Sequence, residues 1–199
     1  MSKIKENIDE HREQLKKYLL HLYPNTNLDE LSELVQEFSL DKFDKKQMIL
    51  KAGDFSDTVY FVYRGLVRIY YVKEEKEITN WFIKENMMFA ATYSILTGEA
   101  NYSNYETLED TYVLKLKYSV LESYYAKYHS VEHLGRKIIE AYYGAFMKKT
   151  FDVLFLSAEE RYSLFLKDNS DLLNRVPLRY IASYLGITQE TLSRLRAKH

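Results

Sequence analysis

The spacing of apolar residues changes twice along this chain, which excludes both an all-helical and an all-strand fold. Over residues 4–23 the apolar positions Ile4, Ile8, Leu15, Tyr18, Leu19 and Leu22 recur at helical spacing until Pro24 ends the run. Asn27 suits the cap of a second helix with Leu28, Leu31, Leu34, Val35 and Phe38 on one stripe. Between about residues 43 and 117 the period drops to two. Residues 59–63 and 66–72 are runs of β-branched and aromatic side chains, as strands require. Turn chemistry separates them at Gly53-Asp54, at Arg64-Gly65 and in the charged run 73–77, and further strands are expected at 78–83 and 113–116. Short strands so spaced predict an antiparallel sandwich or barrel.

Beyond Lys117 the helical period returns, breaks near His129 and then persists over residues 131–156. Leu134, Ile138, Ala141, Ala145 and Leu156 fall near one face, widened by Tyr142, Phe146 and Val153. A helix of about 26 residues is roughly 39 Å long, enough to supply a two-fold subunit interface, with Leu134, Ile138, Ala141 and Ala145 at its centre. Ser157 and Glu160 have the spacing of a capping box and open a further helix carrying Tyr162, Leu164, Phe165 and Leu166. The expected fold class is α+β. Helices and an antiparallel sandwich or barrel occupy residues 1–130, a long dimerisation helix 131–156, and a small helical domain 157–199.

The C-terminal domain carries the most specific pattern. Pro177 suits a helix start, and Leu178, Ile181, Ala182 and Leu185 give an apolar face that ends at Gly186. Thr188 can cap a second helix, held to the first by Thr191, Leu192 and Leu195. That helix turns Gln189, Glu190, Ser193, Arg194 and Arg196 outward, side chains able to bond base edges or phosphate. Over residues 174–199 the bases Arg175, Arg179, Arg194, Arg196 and Lys198 face the single acid Glu190. The pattern is that of a DNA-reading helix-turn-helix; a plain helical hairpin with a solvated charged face is the alternative.

Composition narrows the rest. A formal net charge of -1 means that any attraction to a polyanion is local. With no cysteine there are no disulfides, thiolate nucleophiles or cysteine-ligated metals. The N-terminal residues lack the apolar stretch of a secretory signal or membrane span, so a cytoplasmic location is expected, with no membrane partner. His129 and His133 stand at i,i+4, but no third ligand is evident and Glu132 is expected to point elsewhere, so no metal site is assigned. Glu159 and Glu160 do not face each other on a helix, and the six glycines form no phosphate loop; no catalytic residues and no enzyme activity are assigned.

Residues 49–54 and 59–69, with Gly53 and Gly65 at sharp turns, then 156–162 and 176–194, resemble the Crp/Fnr family of regulators over almost the whole chain. The resemblance implies a cyclic-nucleotide-binding-like β-roll followed by a helix-turn-helix. It implies double-stranded DNA and a second copy of the chain as partners, RNA polymerase as a further one, and no cofactor. Its DNA-contacting positions fall on Gln189, Glu190 and Arg194, with Ser193 nearby; Arg179, Thr188 and Arg196 complete the expected set. Gln189 departs from the arginine of the best-known member, and the end at His199 leaves no room for the β-hairpin wing of many members.

The family's nucleotide pocket needs a Gly-Glu pair and an arginine beside a serine or threonine, because a buried cyclic phosphate requires a guanidinium. Here Ala90 and Ala91 stand where Gly-Glu would be, and no arginine lies between Arg68 and Arg136. Neither cyclic AMP nor cyclic GMP is therefore expected to bind, and the effector stays unnamed. Phe82, Met88, Phe89, Ala90, Ala91, Tyr93, Tyr102 and Ser103, with Trp81, Met87 and Tyr105 close in sequence, either line a pocket for an apolar ligand or fill it. A sensor or interaction module that no longer engages DNA is the competing function.

Overall fold

The computed structural model describes residues 8–198, so Ile4 of the first expected helix and the terminal His199 lie outside the described residues. Helix α1 (Ile8–Leu22) is followed by α2 (Leu28–Gln36). Asn27 caps α2, its side-chain oxygen accepting from the N–H groups of Asp29 (3.0 Å) and Glu30 (3.2 Å). Eight strands follow: β1 (Ser39–Phe43), β2 (Met48–Leu50), β3 (Thr58–Arg64), β4 (Val67–Lys73), β5 (Lys76–Ile83), β6 (Met87–Ala90), β7 (Asn104–Thr107) and β8 (Thr111–Lys117). A short helix α3 (Thr92–Thr97) lies between β6 and β7. The strands form two antiparallel sheets, ordered β1-β8-β3-β6 and β2-β7-β4-β5.

The period-two pattern places neighbouring residues on opposite faces. Val62, Val67, Ile83, Phe89, Tyr105 and Val113 meet between the sheets. Their neighbours Phe61, Met88 and Leu114 point outward from the first sheet into a second core built by Leu15, Leu19, Leu31, Leu34 and Phe38. Gly65 closes the β3–β4 turn at a φ of +111°, and a Cβ there would stand 2.5 Å from Thr111 Oγ1 and 2.7 Å from its Cα. No other residue both adopts that backbone and clears β8.

Helices α4 (Tyr118–Lys127) and α5 (His129–Phe155) cover the same sheet face. At 27 residues α5 is about 40 Å long. After Leu156, Ser157 and Glu160 form a reciprocal capping box at the start of α6 (Ala158–Asn169). A 3-10 turn (Ser170–Asn174), α7 (Leu178–Leu185) and α8 (Gln189–Lys198) complete the chain. Their core of Tyr162, Phe165, Leu172, Val176, Ile181, Leu185, Leu192 and Leu195 also receives Leu66, Phe82 and Leu108, so the C-terminal domain is docked on the β-roll.

The expected dimer face of α5 needs correction. Leu134 is 2% exposed and packs with Val131 in the chain's own core, where Ile138 also rests, and Ala145 is half-buried. Of the expected set only Ala141 is exposed. The helix is apolar on two sides, and the side chosen from spacing is the one its own β-roll covers. Its other side leaves Ile139, Tyr143, Phe146, Met147, Phe151, Leu154 and Phe155 exposed. No helix among the described residues is long and apolar enough to cross a membrane.

Candidate nucleic-acid interface

The two helices α7 and α8 are joined by a turn whose geometry follows from three residues. The carbonyl of Pro177, the N-cap of α7, accepts from the Tyr180 N–H at 2.9 Å. Gly186 sits in the left-handed region at φ +66°, and the Ile187 N–H returns to the Ala182 carbonyl at 3.0 Å, closing α7. Thr188 then caps α8, its hydroxyl accepting from the Thr191 N–H at 3.1 Å. Leu192 and Leu195 are buried against Ile181, Ala182 and Leu185. That packing aims Gln189, Glu190, Ser193, Arg194 and Arg196 at solvent, with Thr188 exposed at the cap. Arg194 has one acidic neighbour, Glu190 at 3.5 Å in an exposed i,i+4 pair, an interaction worth only about 0.3–0.5 kcal/mol and readily exchanged.

The other bases of this region are placed differently. Arg179, on α7, donates to the Tyr180 hydroxyl at 3.0 Å and lies 4.8 Å from that ring, on the side of Glu77 and Glu106, whose charges act on it. Arg175 is removed from the outward charge altogether. Its guanidinium bonds both oxygens of Glu109 (2.9 and 2.8 Å) and of Glu85 (3.0 and 2.8 Å) and the Gly65 carbonyl (3.3 Å). The Glu109 bond above all pushes the Arg175 pKa further up. Burial works against the Glu85 carboxylate, yet Arg175 and the backbone donors outweigh it and hold it below its ordinary range.

Beside these stands a contact that sequence reasoning missed. Arg68 is fully buried, with its guanidinium carbon 4.2 Å from the Tyr70 ring and 3.5 Å from the ring of Tyr180 on α7. It donates to Thr79 Oγ1 (2.9 Å) and to Glu77 (2.7 Å). Next to it the Thr79 N–H donates to Ser183 Oγ at 2.9 Å, and that hydroxyl donates to the Glu77 carbonyl at 3.2 Å. The only signal in the sequence was an arginine and a threonine at core-like positions of strands.

The eight expected pocket residues do not line one cavity. Phe82 points into the C-terminal domain, 5.4 Å from the Tyr184 ring, and Met88 points into the helical core, whereas Phe89 lies between the sheets. Adjacent strand positions face opposite ways, so a contiguous segment cannot line one pocket. Ala91 is buried and Ala90 half-buried, its carbonyl accepting from Tyr105 Oη at 3.2 Å. Tyr93 and Tyr102 are exposed and bonded to each other at 2.9 Å, with Tyr93 donating to Glu99 at 2.6 Å; Ser103 donates its N–H to Asn101 at 2.7 Å. Among the described residues no group of three or more metal-ligating side chains occurs. Glu132, expected to point away, lies 3.6 Å from His129, and His133 stacks on Tyr23 at 4.4 Å.

Comparison with known proteins agrees with this architecture. The cyclic nucleotide-binding domain family model matches residues 40–128. The fumarate and nitrate reduction regulatory protein of Vibrio cholerae is 25% identical, over 85% of this chain and 71% of that protein. The anaerobic regulatory protein of Haemophilus influenzae is 24% identical, over 84% and 68%. Among solved structures, FixK2 from Bradyrhizobium japonicum superposes with a TM-score of 0.69 at 22% identity, covering 81% of this chain and 83% of that one. The catabolite activator protein of Thermus thermophilus gives 0.57 at 19%, covering 91% and 85%. With a cyclic nucleotide-binding domain, a long helix and a C-terminal helix-turn-helix in this order, the chain has the fold of these regulators.

Proposed function

We propose that the chain regulates transcription as a homodimer that sets two copies of α8 into successive major grooves of a near-palindromic site, about 34 Å apart. The observation that carries this reading is the outward face of α8, where Gln189, Glu190, Ser193, Arg194 and Arg196 are exposed on a helix seated by Leu192 and Leu195. The exposed side of α5, from Ile139 to Phe155, supplies the apolar surface for the two-fold contact. DNA and a second copy are thus the partners, RNA polymerase is the partner of the bound dimer, and the cytoplasm is the compartment.

Cyclic nucleotides are not the signal. Val67 faces the space between the sheets, and Arg68, next to it on β4, faces the C-terminal domain, so its guanidinium is not offered to a ligand in the β-roll. A cyclic phosphate buried there without a cation would cost several kcal/mol. A signal reaching the β-roll acts instead on the joint between α5 and α6 at residues 155–157, changing how α7 and α8 are presented.

Selection of genomic fragments by the purified protein tests this function and yields the operator. A retained consensus, with affinity falling steeply as salt rises and a dimer by sedimentation, is expected. Recovery of random fragments, or affinity indifferent to salt, favours the interaction module without DNA binding.

A further inference from the structure

A cleft of about 200 Å³ lies where the three parts of the chain meet. Trp81 of β5 forms one wall, Ala145, Lys149 and Asp152 of α5 a second, and Arg161 and Phe165 of α6 with Tyr184 of α7 the remainder. We propose that this cleft binds a small aromatic monocarboxylate, its ring against Trp81, Phe165 and Tyr184 and its charge on Lys149. The inference goes beyond regulation of DNA binding and does not depend on it.

The aromatic wall is continuous: the Tyr184 ring stands edge-on to Trp81 at 6.5 Å and tilted to Phe165 at 5.9 Å. Flat apolar walls with few polar groups are the usual make-up of a small-molecule site. Lys149 is the polar group in question. Its ammonium lies 3.9 Å from the Tyr184 ring and 5.2 Å from that of Trp81 and donates to the Asn80 carbonyl. An ammonium has three N–H donors, and no carboxylate lies within ion-pairing distance of this one among the described residues. Burial with no counter-charge lowers its pKa to about 7.

The charge of the cleft limits the ligand. Lys148, Lys149 and Arg161 line it against Asp152 and Asp168, and Lys148 is already paired with Asp152 at 3.1 Å. With Lys149 protonated, as a bound anion makes it, one positive charge is in excess, which matches a monoanion and disfavours a dianion such as a phosphate monoester. The volume accommodates about ten non-hydrogen atoms, the size of a benzoate or phenylacetate. Because the walls come from β5, α5, α6 and α7, an occupant ties the β-roll to the C-terminal domain across the joint at residues 155–157.

Calorimetric titration of the full chain with benzoate, phenylacetate and indole-3-acetate, and with benzamide and phenylacetamide as neutral counterparts, tests the site. At least one carboxylate binds, and its amide binds tenfold or more weakly. At pH 7.5 binding takes up a fraction of a proton, seen as heat that varies with the buffer's ionisation enthalpy, because the bound anion raises the Lys149 pKa. Lys149→Met weakens binding at least tenfold and abolishes the proton uptake. Ala145→Phe, which fills the cleft without changing charge, also removes binding, and both variants keep the circular dichroism spectrum of the parent. No binding by any of the three acids at millimolar concentration, equal binding of the amides, or Lys149→Met binding as the parent does would overturn the proposal. None of these outcomes bears on DNA affinity.

Discussion

Arg68 and Arg175, at the contact between the β-roll and the C-terminal helices, are enclosed by tyrosine rings and carboxylates, whereas Arg194 and Arg196, one helix further on, face solvent. The same side chain thus has two uses within one small domain. A guanidinium held by fixed acids orients α7 on β5 and has no charge left for a polyanion. A guanidinium left in water is free to trade weak partners for base edges and phosphate. The difference teaches that the basic character of residues 174–199 cannot be taken whole as a DNA-binding charge, since Arg175 is neutralised inside the molecule.

Variants separate the two uses. The largest effect is expected for Arg68→Ala, which leaves Glu77 and Glu106 without their buried partner and removes the plane between Tyr70 and Tyr180. A loss of about 3 kcal/mol in urea unfolding is predicted, with Arg68→Met recovering part of it by filling the space. A loss below about 1 kcal/mol would show that the docking does not depend on this arginine. For Arg175→Gln the expected loss is about 2 kcal/mol, the four charge-assisted bonds being partly exposed. The pH dependence should change too. Glu85 is held below its ordinary value of 4.5 in the folded chain, so its contribution is present above that value and is lost as pH falls through the lowered one. Arg175→Gln should remove this part of the acid slope; an unchanged acid unfolding profile contradicts the assignment.

On the other side of the comparison, Arg194→Ala should weaken binding to the selected operator ten- to one-hundredfold and relax its sequence preference. Its unfolding free energy should move by less than about 0.5 kcal/mol, because its one acidic neighbour is an exposed pair. Arg196→Ala should act least, lowering affinity evenly across sequences and reducing the salt slope by about one if it meets phosphate. Anisotropy titrations at three salt concentrations distinguish the two; equal losses on operator and random DNA for Arg194→Ala would reassign it to the backbone.

The hairpin of α7 and α8 was legible because its signals are local: a proline at the start, a glycine at the turn, a threonine cap and an apolar face on each helix all lie within a few residues. The strands of β3, β4, β5 and β8 were legible by the same reasoning, through alternation and glycine turns. Strands β1, β2, β6 and β7 were not anticipated, being only three to five residues long.

Sequence alone therefore determined the change from helical to strand spacing and back, strands β3, β4, β5 and β8, and the outward face of α8, since each depends on residue type and spacing along the chain. Tertiary structure decided which side of α5 is free, that Phe82 and Met88 leave the β-roll interior, and that Arg68 and Arg175 join the domains. It also brought Lys149 to Trp81 and Tyr184, with no carboxylate paired to it among the described residues. These outcomes turn on which of two apolar faces finds a partner and which charges meet across as many as 90 residues, and neither is encoded in local periodicity.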